Sequence, residues 1–127
     1  MTDAPQISDA EWEVMNVLWE RSPLTAVEVS EAVSERTQWH TKTVKTLLGR
    51  LVRKGALRYK AEGNRYLYTP VAQREKCVRA ETQSFMERVF GGEATPMLMH
   101  FMKNSRLTAE EIDELRRLLD EKKGERT

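Results

Sequence analysis

Three amphipathic segments, an alternating hairpin pattern and three further helical segments predict a mainly α chain with one small β-hairpin. The order α-α-α-β-β of the first part is the layout of a winged helix-turn-helix domain. The second part reads as a helical unit, so the predicted division is 1–70 and 71–127. The chain has 127 residues, 39% of them hydrophobic and 32% charged, a composition typical of globular rather than disordered or fibrous chains.

The first helix is predicted over 9–20. Ser8-Asp9-Ala10-Glu11 has capping-box form, and Trp12, Met15, Leu18 and Trp19 recur at helical spacing. Ser22-Pro23 closes it. Thr25-Ala26-Val27-Glu28 opens a short second helix with Val29, Ala32 and Val33 on one face, and a polar connection containing Trp39 follows. The third helix carries a full core stripe, Val44, Leu47, Leu48, Leu51 and Val52. It ends in Arg53-Lys54-Gly55, with cations at the negative dipole end and a glycine suited to the left-handed cap. Residues 56–61 and 65–69 alternate around Glu62-Gly63-Asn64, a hairpin signal, and Pro70 ends it. Leu57 and Tyr59 are expected to face inward against Tyr66 and Tyr68, with Arg58, Lys60 and Arg65 on the other face or at the turn. Beyond Pro70, residues 72–90 read as a long helix broken by Gly91-Gly92. Residues 96–103 form a Met-rich helix, and Thr108-Ala109-Glu110-Glu111 caps a sixth whose stripe is Ile112, Leu115, Leu118 and Leu119. The charged tail from Glu121 is expected to fray.

Several function classes are excluded early. No apolar run approaches the roughly 18 residues of a membrane span, and the N-terminus lacks a signal-peptide pattern, so a cytoplasmic protein without membrane insertion is expected. One cysteine, Cys77, cannot form an intrachain disulfide and reads as an ordinary helix residue. With only His40 and His100 beside it, no zinc site of standard spacing can be built. Met97, Met99 and Met102 read as adaptable packing, because no His or Cys partner has ligand spacing around them. No metal, no cofactor and no catalytic residue is expected. Phosphate-cradling loops are missing, and no nucleophile–base pair or carboxylate pair stands out.

Net charge is only +1, but its distribution is uneven. Residues 1–35 hold eight acids and one base; residues 36–66 hold nine bases and one acid. A basic block of that density in a near-neutral chain is the footprint of a polyanion-binding surface; the plainer account is a solvated basic face answering an acidic one. In a helix-turn-helix the second helix of the motif enters the major groove. Subtracting the core stripe from the third helix leaves Thr41, Lys42, Thr43, Lys45, Thr46, Gly49, Arg50 and Arg53, with no acid between Thr37 and Ala61. Lysine can donate to guanine N7 and O6, and threonine offers a hydroxyl and a methyl. Gly49 is either a tolerated surface glycine or a point of close backbone approach. Trp39 fits core packing, or an indole N–H contact to phosphate. His40 fits a helix cap or a phosphate contact.

Taken in order, 6–15, Trp19, Trp39, Lys42-Thr43-Val44, Thr46-Leu47, Arg50-Leu51, Lys54-Gly55 and 66–70 resemble the BlaI/MecI-type penicillinase repressors. The resemblance continues through Ser84-Phe85, Phe90, Gly91, Met97, Phe101 and 107–115, and so covers nearly the whole chain. It implies a homodimeric winged-helix repressor of operator DNA, with β-lactam-response genes as the regulon. The helix contacts carry over onto Lys42, Thr43, Thr46 and Arg50, beside Trp39, His40 and the wing bases Arg58, Lys60 and Arg65. It further implies derepression through a membrane sensor-protease pathway, by a cut in the dimerisation part; the matching pair here is His100-Phe101, where the family has Asn-Phe.

A dimer is also expected from the residues alone. Residues 71–127 are marginal in length for a single core, yet carry Phe85, Val89, Phe90, Met97, Leu98, Phe101, Met102, Ile112, Leu115, Leu118 and Leu119. Burial against a symmetric copy is the simplest solution. The competing reading is a winged-helix protein-interaction module whose basic face meets an acidic protein.

Overall fold

A computed structural model describes residues 4–125. The described elements are α1 (Asp9–Glu20), α2 (Ala26–Val33), α3 (Thr41–Arg53), β1 (Leu57–Glu62), β2 (Arg65–Pro70), α4 (Arg74–Phe90), α5 (Ala94–Asn104) and α6 (Ala109–Gly124). Capping boxes open α1, α2 and α6: Ser8, Thr25 and Thr108 each accept from the amide three residues on, and Glu11, Glu28 and Glu111 reach back. Gly55, at φ 82°, follows α3 as anticipated. At the end of α4 the Gly92 amide donates to the Met86 carbonyl at 3.1 Å, and Gly91 and Gly92 both have positive φ, turning the chain back at the helix end.

The chain forms two compact units, Met1–Gln83 and Ser84–Thr127. In the first, Val14, Met15 and Leu18 of α1, Val29 and Val33 of α2, and Val44, Leu48 and Leu51 of α3 are almost completely buried. Each side chain of this size contributes about 1.5–3 kcal/mol by leaving water. The antiparallel hairpin pairs Leu57 with Pro70 through Glu62 with Arg65, and Leu57 and Tyr68 close the core from its base. Leu24 adds a bridge to β2: its amide and carbonyl pair with the Tyr68 backbone at 3.2 and 2.8 Å. The Trp19 indole donates to the Ala72 carbonyl at 2.9 Å, fixing the chain just beyond the hairpin.

Two expectations need correction, those for Tyr59 with Tyr66 and for the end of α6. Tyr59 and Tyr66 share the face of Leu57 and Tyr68, but they are 50% and 47% exposed, because the hairpin outruns the core that its base covers. Cys77 is a residue of α4, buried in the first core, where burial pushes its thiol pKa up. Ala72 and Cys77, at the start of the helical part, both pack on the first core. Finally, α6 continues to Gly124 instead of ending near Glu121, with Lys122 and Lys123 placed favourably in its last turn.

In the second unit Phe85 stacks on Phe101 at 6.1 Å and meets Phe90 edge-on at the same separation. Met97 is buried. No residue of α6 is buried.

The feature of the first unit least expected from composition is a buried carboxylate. Glu11 is 1% exposed. It accepts from the Ser8 amide at 2.9 Å and from Lys54 Nζ at 2.5 Å, and Lys54 also donates to the Gln6 carbonyl at 2.8 Å. Burial raises the Glu11 pKa, but Lys54 and Ser8 together outweigh it and hold the carboxyl below its usual value. A carboxyl depressed on folding contributes stability above the unfolded pKa, about 4.3, and that stability disappears as the pH falls through the folded value. Glu11→Gln should therefore flatten the acid limb of the stability–pH curve measured by denaturant unfolding. Lys54→Met should cost about 3 kcal/mol at pH 7, by leaving the carboxylate without its cation, and less at pH 3. A Lys54→Met penalty independent of pH would show that the pair does not hold the two helices.

Candidate nucleic-acid interface

Amphipathicity orients α3. Val44, Leu47, Leu48 and Leu51 face the core, so Lys42, Thr43, Lys45, Thr46, Arg50 and Arg53 face solvent. The N-cap, His40, is exposed and makes no side-chain cap hydrogen bond, and no acid lies in the first turn. The positive end of the helix dipole therefore opens the cationic face without a neutralising group of its own, an arrangement that favours an anion.

The individual side chains differ in availability. Thr41 is not free: its hydroxyl lies 3.1 Å from Ser30 Oγ and ties the start of α3 to α2. Thr46 donates to the Lys42 carbonyl at 3.1 Å, which leaves its methyl and oxygen lone pairs for a partner. Trp39 is half-buried against the core. Two bases of the basic block are already paired, Lys54 with Glu11 and Arg36 with Glu13 at 3.3 Å. The charge open to a ligand is thus carried mainly by α3 and the hairpin.

On the hairpin, Arg58 and Lys60 of β1 stand opposite Thr69 and Leu67, and Arg65 pairs with Glu62. All three bases are exposed on one face. The backbone and hydroxyl of Thr25 hold the Glu28 carboxyl below its usual pKa, and the charges of Arg65 and Arg21 add to this. The other hairpin face carries Tyr59, Tyr66 and Tyr68. The exposure of the first two was hidden in the alternation pattern, which specifies a face but not where the core ends.

The residues expected to join two copies lie on α4, α5 and α6. Val89, Leu98, Phe101, Met102, Ile112, Leu118 and Leu119 are exposed, whereas Phe85, Phe90 and Leu115 are half-buried and Met97 is buried within its own unit. His100 and Phe101 sit inside α5, where Asn104 donates to the His100 carbonyl at 2.8 Å. Among the described residues no group of three or more His, Cys, Asp and Glu could hold a metal ion. Among the described residues no helix is long and apolar enough to cross a membrane.

Gly49 distinguishes packing from function. A Cβ built there meets nothing within 4 Å, so no neighbouring element requires the glycine. Gly49→Ala should raise stability by about 1 kcal/mol in a denaturant melt. Weaker duplex binding by this more stable protein would assign the glycine to close approach of DNA; unchanged binding would leave it a tolerated surface position.

The penicillinase repressor family model matches residues 7–121. The chain is 40% identical to a penicillinase repressor of Bacillus licheniformis over 124 residues, 98% of this chain and 97% of that protein. It is 30% identical to the methicillin resistance regulatory protein MecI of Staphylococcus aureus over 117 residues, 92% and 95% of the two chains. Among solved structures it resembles the monomeric form of Bacillus licheniformis BlaI in complex with the blaP half-operator. That match has a TM-score of 0.51 and 43% identity, and covers 60% of this chain and 93% of that one. With a winged-helix first unit and a match that runs through both units, this chain belongs to the penicillinase repressor family.

Proposed function

We propose that the chain is a homodimeric transcriptional repressor acting in the cytoplasm. It binds a pseudo-palindromic operator through α3 and the basic wing, and controls β-lactamase or other β-lactam-response genes. The observation that carries this reading is the acid-free cationic face of α3, held outward by a fully buried opposite face. Similarity to a repressor solved on its half-operator supports it. Lys42, Thr43, Thr46 and Arg50 read base edges, while Trp39, His40, Arg58, Lys60 and Arg65 hold the backbone. The exposed apolar side chains of the second unit supply the surface for a symmetric partner.

Salt dependence separates this reading from a protein-interaction module. A dimer that neutralises about 6–8 phosphates should show a slope of about −5 to −7 in log K against log salt. A flat dependence on duplex DNA would sink the repressor reading. A footprint on the protein's own promoter defines the operator. On it, Lys42→Ala, Thr43→Ala or Thr46→Ala should each cost about 1–3 kcal/mol per half-site and much less on random duplex. Arg58→Ala, Lys60→Ala and Arg65→Ala should weaken binding to every sequence and flatten the slope by about one unit per contact per subunit. Equal losses on both DNAs for the α3 variants would leave them only phosphate contacts.

Derepression is proposed to follow a cut between His100 and Phe101, reached through a membrane sensor-protease pathway. The bond lies within α5, so a protease gains access only when that helix opens. Cleavage removes Phe101, and with it the stack on Phe85, together with Met102 and all of α6. Two linked half-site binders gain about 10²–10⁴ in avidity over one. A chain ending at His100 should therefore sediment as a monomer and lose operator affinity on that scale. A truncated chain that stays dimeric and binds as tightly would remove the mechanism.

A further inference from the structure

The wing has two chemically distinct faces, and only one is accounted for by charge. Arg58, Lys60 and Arg65 occupy the first. On the second, Tyr59 and Tyr66 lie with ring centroids 4.5 Å apart, and Tyr68 joins them at 6.2 and 6.5 Å. Tyr68 is 8% exposed and belongs to the core, whereas Tyr59 and Tyr66 are 50% and 47% exposed. Neither of their hydroxyls has a hydrogen-bonding partner among the described residues. Side-by-side packing of the rings fixes both phenols on one face, so little rotamer freedom remains to be lost on binding.

We propose that Tyr59 and Tyr66 form a second, uncharged DNA contact of the wing, their hydroxyls donating to phosphate oxygens. Any groove is bordered by two phosphate rows. A hairpin entering it edge-on meets one row with each face: Arg58 and Lys60 take one strand, and the phenols take the other. The argument for this occupant is continuity, since the tyrosines share their strands with the wing bases and Tyr59 stands between Arg58 and Lys60 in sequence. The inference rests on the duplex-binding reading above, and the two can fail separately.

The test uses the full chain and a mixed-sequence duplex, because phosphate contacts do not depend on sequence. Tyr59→Phe and Tyr66→Phe keep the ring packing and delete only the hydroxyls. Each should weaken binding by about tenfold to a hundredfold, the range of a hydrogen bond to a charged acceptor. The slope against salt should not change, because a neutral donor releases no counterion. That constancy distinguishes the phenols from the wing bases. In parallel, DNA should protect Tyr59 and Tyr66 from nitration by tetranitromethane, read by peptide mass spectrometry. If the unmodified chain binds duplex but its Tyr59 and Tyr66 nitrate equally with and without DNA, and both variants bind as tightly as it does, the tyrosine contact is overturned and the repressor reading survives. If the unmodified chain does not bind duplex, both fall. If instead Tyr59→Ala/Tyr66→Ala changes the sedimentation of the DNA-free chain, the face joins two copies and the DNA contact is rejected.

Discussion

Glu11 joins parts of the first unit that sequence keeps far apart. It closes the N-terminal box of α1 through Ser8 and receives Lys54 from the end of α3, while Lys54 also holds the backbone at Gln6. A carboxylate this buried is stable only when such donors surround it. The ion pair therefore acts as a geometric constraint: α3 can neither slide nor rotate against α1 without stranding a charge. Because the outward face of α3 carries the candidate contacts, their presentation is fixed by an interaction at the helix's C-terminal end.

The start of α3 follows the reverse policy. The boxes at α1, α2 and α6 satisfy their own first amides, but His40 leaves α3 without a side-chain cap. A missing cap costs on the order of 1 kcal/mol, and crowding Lys42, Lys45, Arg50 and Arg53 onto one helix adds repulsion. The apolar stripe beneath compensates, and the Thr41–Ser30 contact pins the uncapped turn to α2. Local stability is given up where an anion would restore it.

Local patterns made much of this architecture legible. The serine and threonine boxes marked the starts of α1, α2 and α6, and the spacing of Val44, Leu47, Leu48 and Leu51 identified both faces of α3. Gly63, with φ of 64°, centred the hairpin. What escaped depends on distance along the chain. Lys54 reads as a cation at a helix end until Glu11, 43 residues earlier, is brought beside it. Leu24 reads as a linker residue until β2 supplies a strand to pair with. Cys77 lies on a helix with no other buried residue, so no periodic stripe announced it. Tyr59 and Tyr66 obey the alternation rule and still escape burial, because alternation assigns a side and only the tertiary core decides how far along that side burial extends. For the candidate interface, the positions on α3 were readable in outline, whereas the engagement of Thr41, Arg36 and Lys54 elsewhere was not.

The indole bond from Trp19 to the Ala72 carbonyl gives the molecule a built-in optical reporter with a restricted field of view. All three tryptophans, Trp12, Trp19 and Trp39, belong to the first unit, and Trp12 and Trp19 lie 5.6 Å apart, close enough to share excitation. Emission therefore follows the docking of the segment after the hairpin and the integrity of the first core. The second unit, whose aromatic rings are the phenylalanines Phe85, Phe90 and Phe101 and the imidazole of His100, contributes almost nothing to the same signal. Its melting or cleavage can pass unseen by fluorescence while circular dichroism records the loss of α5 and α6, so disagreement between the two spectra would itself locate the event.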